Sequence, residues 1–177
     1  DGLDSNGSLS VTGGETYVSG PTDSGNGALD YSSGGEITGG VLIAAGSSGM
    51  AQDLTSTTQG TMLVSVGSQP AGSSVSLSDS SGAVLLSWTA DKAFECVVIS
   101  CPDIAQGSTY TVTAGSYSVE VAMDSLVYGS ASGMGGGMGG GMGGGQAPDA
   151  QTGATAPSGG TAPSGGASMP GGGRGHG

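Results

Sequence analysis

The chain has 177 residues, of which 40 are glycine, and a formal net charge of −12. Lys92 and Arg174 are its only lysine and arginine, so it lacks the cationic surface that nucleic acids and anionic membranes require. Nor does it contain an apolar run long enough to cross a membrane. Because no stretch has a helical hydrophobic period and short apolar strands alternate with polar loops, the sequence predicts an all-β protein.

Residues 1–56 contain an internal repeat with an offset of 26 residues. Segments 10–20 and 36–46 each have a short strand ending in Thr-Gly-Gly, a second short strand and a glycine. A period of this length, with two strands in each unit, predicts turns of a β-solenoid. The paired glycines suit a corner that needs positive φ or a close approach of two backbones. The predicted interior pairs are Val11 with Ile37 and Val18 with Ala44.

Residues 57–128 have a different pattern of short alternating strands about ten residues apart, which predicts a small antiparallel β-sandwich or β-cap. Asp79-Ser-Ser-Gly82 is typical of a hairpin turn between two of them. Residues 129–177 are a Gly/Met/Pro/Ser-rich low-complexity segment, for which we expect a disordered tail. The predicted strands are 61–66, 74–78, 83–89, 94–100, 108–113 and 117–123.

Cys96 and Cys101 are the only cysteines. In an extended strand their Cα atoms would lie about 16 Å apart, which is too far for a disulfide. The spacing also differs from that of a zinc ribbon or a redox pair, so the sequence predicts two free thiols.

Two acidic loops precede strands of the first segment. Carboxylate and amide oxygens are the ligands that calcium prefers, and stacked loops of a solenoid can bring them together. The same side chains also form ordinary turns by bonding to nearby backbone, so both interpretations stay open. The candidate metal ligands are Asp1, Asp4 and Asn6 in the first loop and Asp23, Asn26 and Asp30 in the second.

Tyr17 and Tyr31 are candidates for stacking on sugar rings, Tyr31 more so because it follows an acidic loop. Trp88 is a further candidate for stacking on a sugar ring, but it ends an apolar strand, which favours packing in the core. Glycoside hydrolysis would need two carboxylates at a fixed separation, and a lyase would need a basic residue. Because residues 1–56 contain no basic residue, we expect a protein without catalytic activity.

The segments Asp1–Gly7, Ser24–Tyr31 and Ala44–Ala51, together with the paired Thr-Gly-Gly turns, resemble the bacterial carbohydrate-binding-domain protein family. Its members are secreted, right-handed parallel β-helices that bind calcium and plant-type polysaccharides, including acidic ones. The resemblance covers residues 1 to about 128. It implies that residues 1–56 are the C-terminal turns of a right-handed parallel β-helix, with calcium in the acidic loops and a polysaccharide as the partner.

The resemblance also implies a protein that is secreted or displayed on the surface of a bacterium. A structural alternative remains beside sugar binding. Open solenoid ends expose strand edges that can stack on another copy, as in a cell-surface, adhesin or filament protein. The sequence therefore predicts non-catalytic carbohydrate binding first and self-association second.

Overall fold

A computed structural model describes residues 1–129, all of which lie in one compact unit. The predicted tail, residues 129–177, lies outside the described residues except for Gly129. The described chain is all-β, and it has no helix that could cross a membrane. Its strands are β1 (Leu3–Ser5), β2 (Ser8–Ser19), β3 (Leu29–Tyr31), β4 (Gly34–Gly46), β5 (Thr61–Gln69), β6 (Ser74–Asp79), β7 (Val84–Thr89), β8 (Phe94–Ser100), β9 (Thr109–Ala114), β10 (Tyr117–Ala122) and β11 (Val127–Tyr128).

The 26-residue repeat becomes a pair of parallel ladders. β2 pairs with β4, with Val11 opposite Ile37 and Val18 opposite Ala44, and β1 pairs with β3 at the same offset. The predicted interior pairs are therefore confirmed. One prediction was wrong, because each Thr-Gly-Gly segment lies within one long strand and does not separate two short ones. The ladder tolerates the corner by shifting register between Val11 and Glu15, as β-bulges do.

Glycine is required at the second of these corners. A Cβ on Gly39 would lie 2.7 Å from the carbonyl oxygen of Thr12, and one on Gly40 would lie 2.5 Å from that of Gly14. Gly40 also has a φ of +89°, which side chains rarely tolerate. The two corners therefore approach each other more closely than any residue with a side chain would allow.

A third pass of the chain follows the second. The Ser47 amide donates to the Pro21 carbonyl at 3.1 Å, and Thr55 forms a parallel bridge with Glu36. Gln59 continues this contact, since its side-chain amide donates to the Gly40 carbonyl at 2.9 Å. Residues 47–59 therefore lie beside the second pass before the chain turns into β5.

Two larger sheets complete the fold. The five-stranded sheet has the order β11-β5-β8-β4-β2, and the four-stranded antiparallel sheet has the order β10-β9-β6-β7. β4 pairs in parallel with β2 and antiparallel with β8. Strands from residues 1–56 and from residues 57–128 therefore share one sheet.

The central strands of the five-stranded sheet are buried on both faces, whereas the edge strand β2 is mostly exposed. Ile43 and Ala45 of β4 face a core shared with the four-stranded sheet. The alternate residues Leu42 and Ala44 face a second core, which Leu29 of β3 also fills. The continuous apolar sequence at the end of β4 is typical of a strand that is covered on both sides.

Five of the six strands predicted in residues 57–128 are confirmed to within one residue at each end, β5 extends three residues beyond the predicted end, and β11 was not predicted. The hairpin at residues 79–82 is also confirmed, with Gly82 at a φ of +88°. The Asp79 carboxylate accepts hydrogen bonds from the hydroxyl and amide of Ser81, at 2.6 and 2.9 Å, and from the Ala83 amide at 3.0 Å. These bonds hold the pKa of Asp79 below its ordinary value.

Cys96 and Cys101 are both free, as predicted, and both are buried. The Cys96 thiol donates to the Ser47 carbonyl at 3.1 Å. Burial raises the pKa of Cys96 to about 11, and the neighbouring Glu95 carboxylate adds to the effect. The thiol is therefore protonated at neutral pH and unreactive.

Candidate functional site

The two predicted acidic loops are neighbours in space. Asp4 of β1 lies opposite Asp30 of β3 in parallel register, so the two carboxylates leave the same face of this two-stranded sheet. Asp4 is exposed and Asp30 is half-buried. The Asp1 carboxylate joins the loops in another way, since it accepts a hydrogen bond from the Gly27 amide at 2.8 Å.

The remaining candidates stay local. The Asp23 carboxylate accepts hydrogen bonds from the Asn26 side-chain amide at 2.7 Å and from the Gly25 amide at 3.2 Å. This is the arrangement of an ordinary Asx turn. Asn6 is exposed in the turn between β1 and β2. The structure thus brings Asp4 and Asp30 together and leaves Asp23 and Asn26 as a turn.

These residues do not form a complete calcium centre. Calcium takes six to eight oxygen ligands, whereas residues 1–129 contain no group of three or more His, Cys, Asp or Glu side chains placed to share a metal ion. The side-by-side Asp4 and Asp30 carboxylates could supply only part of such a shell. Calcium binding at this sheet therefore stays a prediction, and an ion held there would draw most of its oxygens from outside these side chains.

An aromatic pair lies where the two larger sheets meet at their edges. The rings of Tyr17 and Trp88 are stacked, with centroids 5.9 Å apart and planes inclined by 20°. Tyr17 lies on the edge strand β2 and Trp88 on the edge strand β7. The hydroxyl of Ser19 accepts a hydrogen bond from the Asp91 amide at 2.8 Å and so joins the two edges. We call the exposed surface of Tyr17 and Trp88 the aromatic platform.

Burial and hydrogen bonding define the platform further. Tyr17 is 42% exposed, whereas Trp88 is half-buried and packs against the core between the sheets. The Tyr17 hydroxyl donates to the Glu15 carboxylate at 3.3 Å. Desolvation and the negative charge of Glu15 raise the pKa of Tyr17, so this hydroxyl stays protonated at neutral pH. The core packing predicted for Trp88 is thus only part of its environment, since its stacking on Tyr17 was not anticipated.

Tyr31 has a different environment. Its backbone amide donates to the side-chain oxygen of Gln52 at 2.9 Å, its hydroxyl donates to the Asp53 carbonyl, and its ring lies against Gly35. Burial raises the pKa of Tyr31. Because Tyr31 packs against the core on one face of the five-stranded sheet and Tyr17 points to the other, the two tyrosines do not form one surface.

No protein-family model matches the chain, and neither a curated protein nor a solved structure matches it. The geometry of the described residues is therefore the basis for assigning a function.

Proposed function

We propose that this protein is a non-catalytic polysaccharide-binding protein, secreted by a bacterium or held at its surface. The observation that carries the proposal is the aromatic platform of Tyr17 and Trp88. The apolar face of a pyranose packs well against aromatic rings, and Tyr and Trp combine a large apolar area with a polar group. Because the two rings stack on each other, a glycan chain would pack a sugar against the exposed part of Tyr17, which is 42% exposed, and would contact Trp88 beside it.

The surroundings of the platform suit a sugar. The Glu15 carboxylate is exposed, and the Tyr17 hydroxyl occupies only one of its acceptor positions. The others are free to accept hydrogen bonds from sugar hydroxyls. Both rings lie on β-strands, and a hydrogen bond from the Asp91 amide to Ser19 links β2 to the turn that follows β7, so little conformational entropy would be lost on binding.

The parallel passes support a further part of the proposal. We propose that residues 1–56 are turns of a right-handed parallel β-helix like those of the family that the sequence resembles. The equal 26-residue offsets of the two parallel ladders and the stacked Gly-Gly corners are the supporting observations. Repetition of this kind builds elongated surfaces suited to chain-like ligands.

Titration of the protein with polygalacturonate and with cello-oligosaccharides, each with calcium and with a chelator, tests the proposal. Trp88 is the only tryptophan, so its fluorescence reports on the platform in the native protein and in Tyr17→Ala, and isothermal titration calorimetry gives the affinity of Trp88→Ala, which has no tryptophan. We expect binding by the native protein and a loss of about two- to tenfold in affinity for Tyr17→Ala and Trp88→Ala, since aromatic stacking contributes about 0.5–1.5 kcal/mol beyond the area it buries.

Tyr117→Ala is the matched control, because Tyr117 is 36% exposed on β10, at the opposite edge of the four-stranded sheet. It should bind like the native protein. Absence of binding to every polysaccharide, or equal binding by Tyr17→Ala, would overturn the proposal. An assay for new reducing ends or unsaturated products should show no turnover.

A further inference from the structure

The first pass of the chain leaves one edge without a strand partner. Among the described strands, β2 pairs only with β4 and β1 only with β3. The opposite edges of β1 and β2 therefore carry unpaired amides and carbonyls, along Ser8–Ser19 in particular. We call these two parallel edges the open edge. An edge of this length is a template for another strand.

A glycine on the open edge has no explanation within its own pass. Gly39 must lack a side chain because the Thr12 carbonyl of the preceding pass lies against it. Gly13 occupies the same place in the repeat, yet a Cβ on Gly13 would meet no atom of the described residues within 4 Å. Gly13 has no positive φ either, unlike its neighbour Gly14 at +78°. It therefore has the small size that its counterpart needs for close approach, but no backbone among residues 1–129 approaches it.

The apolar side chains of the first pass are also less completely buried than those of the second. Ile37 and Leu29 are 0% and 1% exposed, while their partners Val11 and Leu3 in the first pass are less completely covered. The second pass is sealed by the first on one side and by residues 47–59 on the other. The first pass is sealed on one side only, so the end of this core remains open.

We infer that the open edge binds a further polypeptide pass of the same strand–Thr-Gly-Gly–strand pattern, added in parallel register. The unpaired backbone can accept a β-strand, and Gly13 leaves room for a close backbone at the corner. Val11 is 9% exposed, against 0% for Ile37, so an apolar residue one register step away would complete its burial. The β2–β4 contact already meets all three requirements within the molecule. The partner is therefore a copy of that contact and not a new type of interface.

The test adds such a pass to the full chain by fusing a second copy of residues 1–26 in front of Asp1. We expect a higher urea midpoint and slower hydrogen exchange of the β2 amides than in the parent. We also expect Gly13→Ala to be nearly silent in the parent, but to raise the unfolding equilibrium constant about tenfold or more in the fusion, where a backbone now lies against it.

The matched control fusion carries Asp in place of the copied Val11, so that its pass cannot seal the core. It should leave the midpoint, the β2 exchange and the effect of Gly13→Ala as in the parent. Unchanged β2 exchange in the first fusion, or a silent Gly13→Ala there, would overturn the inference. So would a concentration-dependent dimer of the parent with protected β2 amides, because the edge would then belong to a second copy. None of these outcomes depends on sugar binding.

Discussion

Val11 lies opposite Ile37 in parallel register, and the same 26-residue step relates Val18 to Ala44 on the far side of the corner. Between them the step becomes 27 residues, where Thr12 faces Gly39, and then returns to 26. A lasting slip by one residue would turn every inward side chain outward. The irregular corner therefore keeps both arms of each pass aligned with the core.

The two equivalent glycines should respond differently to alanine. Gly39→Ala places a Cβ against the Thr12 carbonyl, and we expect it to lower the free energy of unfolding by about 1–3 kcal/mol. Gly13→Ala should change it by no more than about 0.5 kcal/mol, because its Cβ enters open space. Urea unfolding followed by Trp88 fluorescence measures both. Equal effects would contradict the stacked corner.

The raised pKa of Cys96 should make the fold less stable in base. With a folded pKa of about 11 and an unfolded value of about 8.5, the folded state holds more protons between those values. The thiol's contribution is therefore complete below pH 8.5 and is lost as the pH rises toward 11, with a slope of up to about 1 kcal/mol per pH unit.

Cys96→Ala is the control for this pH dependence. Other groups also titrate above pH 9, so the measurement is the difference between native and variant urea midpoints at several pH values. The urea midpoint of the native protein should fall more steeply with rising pH than that of Cys96→Ala. Parallel curves would show that Cys96 does not contribute.

A buried hydroxyl should be dispensable in β5. The Thr61 side-chain oxygen is buried and has no hydrogen-bond partner among residues 1–129. Thr61→Val removes this unsatisfied group while keeping the shape, so we expect a gain of about 1 kcal/mol in the free energy of unfolding. Ser100→Ala is the contrasting variant.

The Ser100 hydroxyl accepts from the Gln59 amide at 2.8 Å and donates to the Gly60 carbonyl at 2.7 Å. Its removal leaves buried groups unpaired and should cost about 1–3 kcal/mol. Urea denaturation of both variants measures these changes in the free energy of unfolding. Loss of stability in Thr61→Val would mean that this hydroxyl does have a partner.

The paired carboxylates of Asp4 and Asp30 provide a test for calcium. Like charges directly opposite each other in a sheet destabilise it, so Asp4→Asn should raise the free energy of unfolding by a few tenths of a kcal/mol or more in a chelator. If calcium binds there, millimolar calcium should stabilise the native protein and should stabilise Asp4→Asn less. Asp23→Asn, in the local turn, is the control. Equal stabilisation of the native protein and of Asp4→Asn by calcium would contradict calcium binding at this sheet.

Much of the strand pattern could be predicted because half-buried strands alternate. Ser74–Asp79 and Tyr117–Ala122 show this alternation in the sequence and lie in the antiparallel sheet. The repeat likewise predicted the pairing of Val11 with Ile37, since residues at the same position of successive stacked repeats lie beside each other.

Contacts between distant segments could not be predicted in this way. The apolar run of Cys96–Ile99 indicates a strand covered on both faces. No feature of the sequence near this run indicates that its neighbour is β4. Tyr17 and Trp88 are also far apart in the sequence, and only the meeting of two sheet edges stacks them. Tyr31 follows an acidic loop as a sugar-binding tyrosine could, yet its hydroxyl bonds to Asp53.

The position of β4 between β2 and β8 has a consequence for how the chain folds. β4 ends at Gly46, yet the strand that completes its ladder begins at Phe94. During synthesis, β4 contributes to both cores but lacks its partner β8 until residues 94–100 have been made. Such distant pairing slows folding and exposes the intermediate to aggregation. The rate-limiting event should therefore be the arrival of β8, and substitutions in Val97–Ile99 should slow refolding more than equally destabilising ones in the hairpin of β9 and β10.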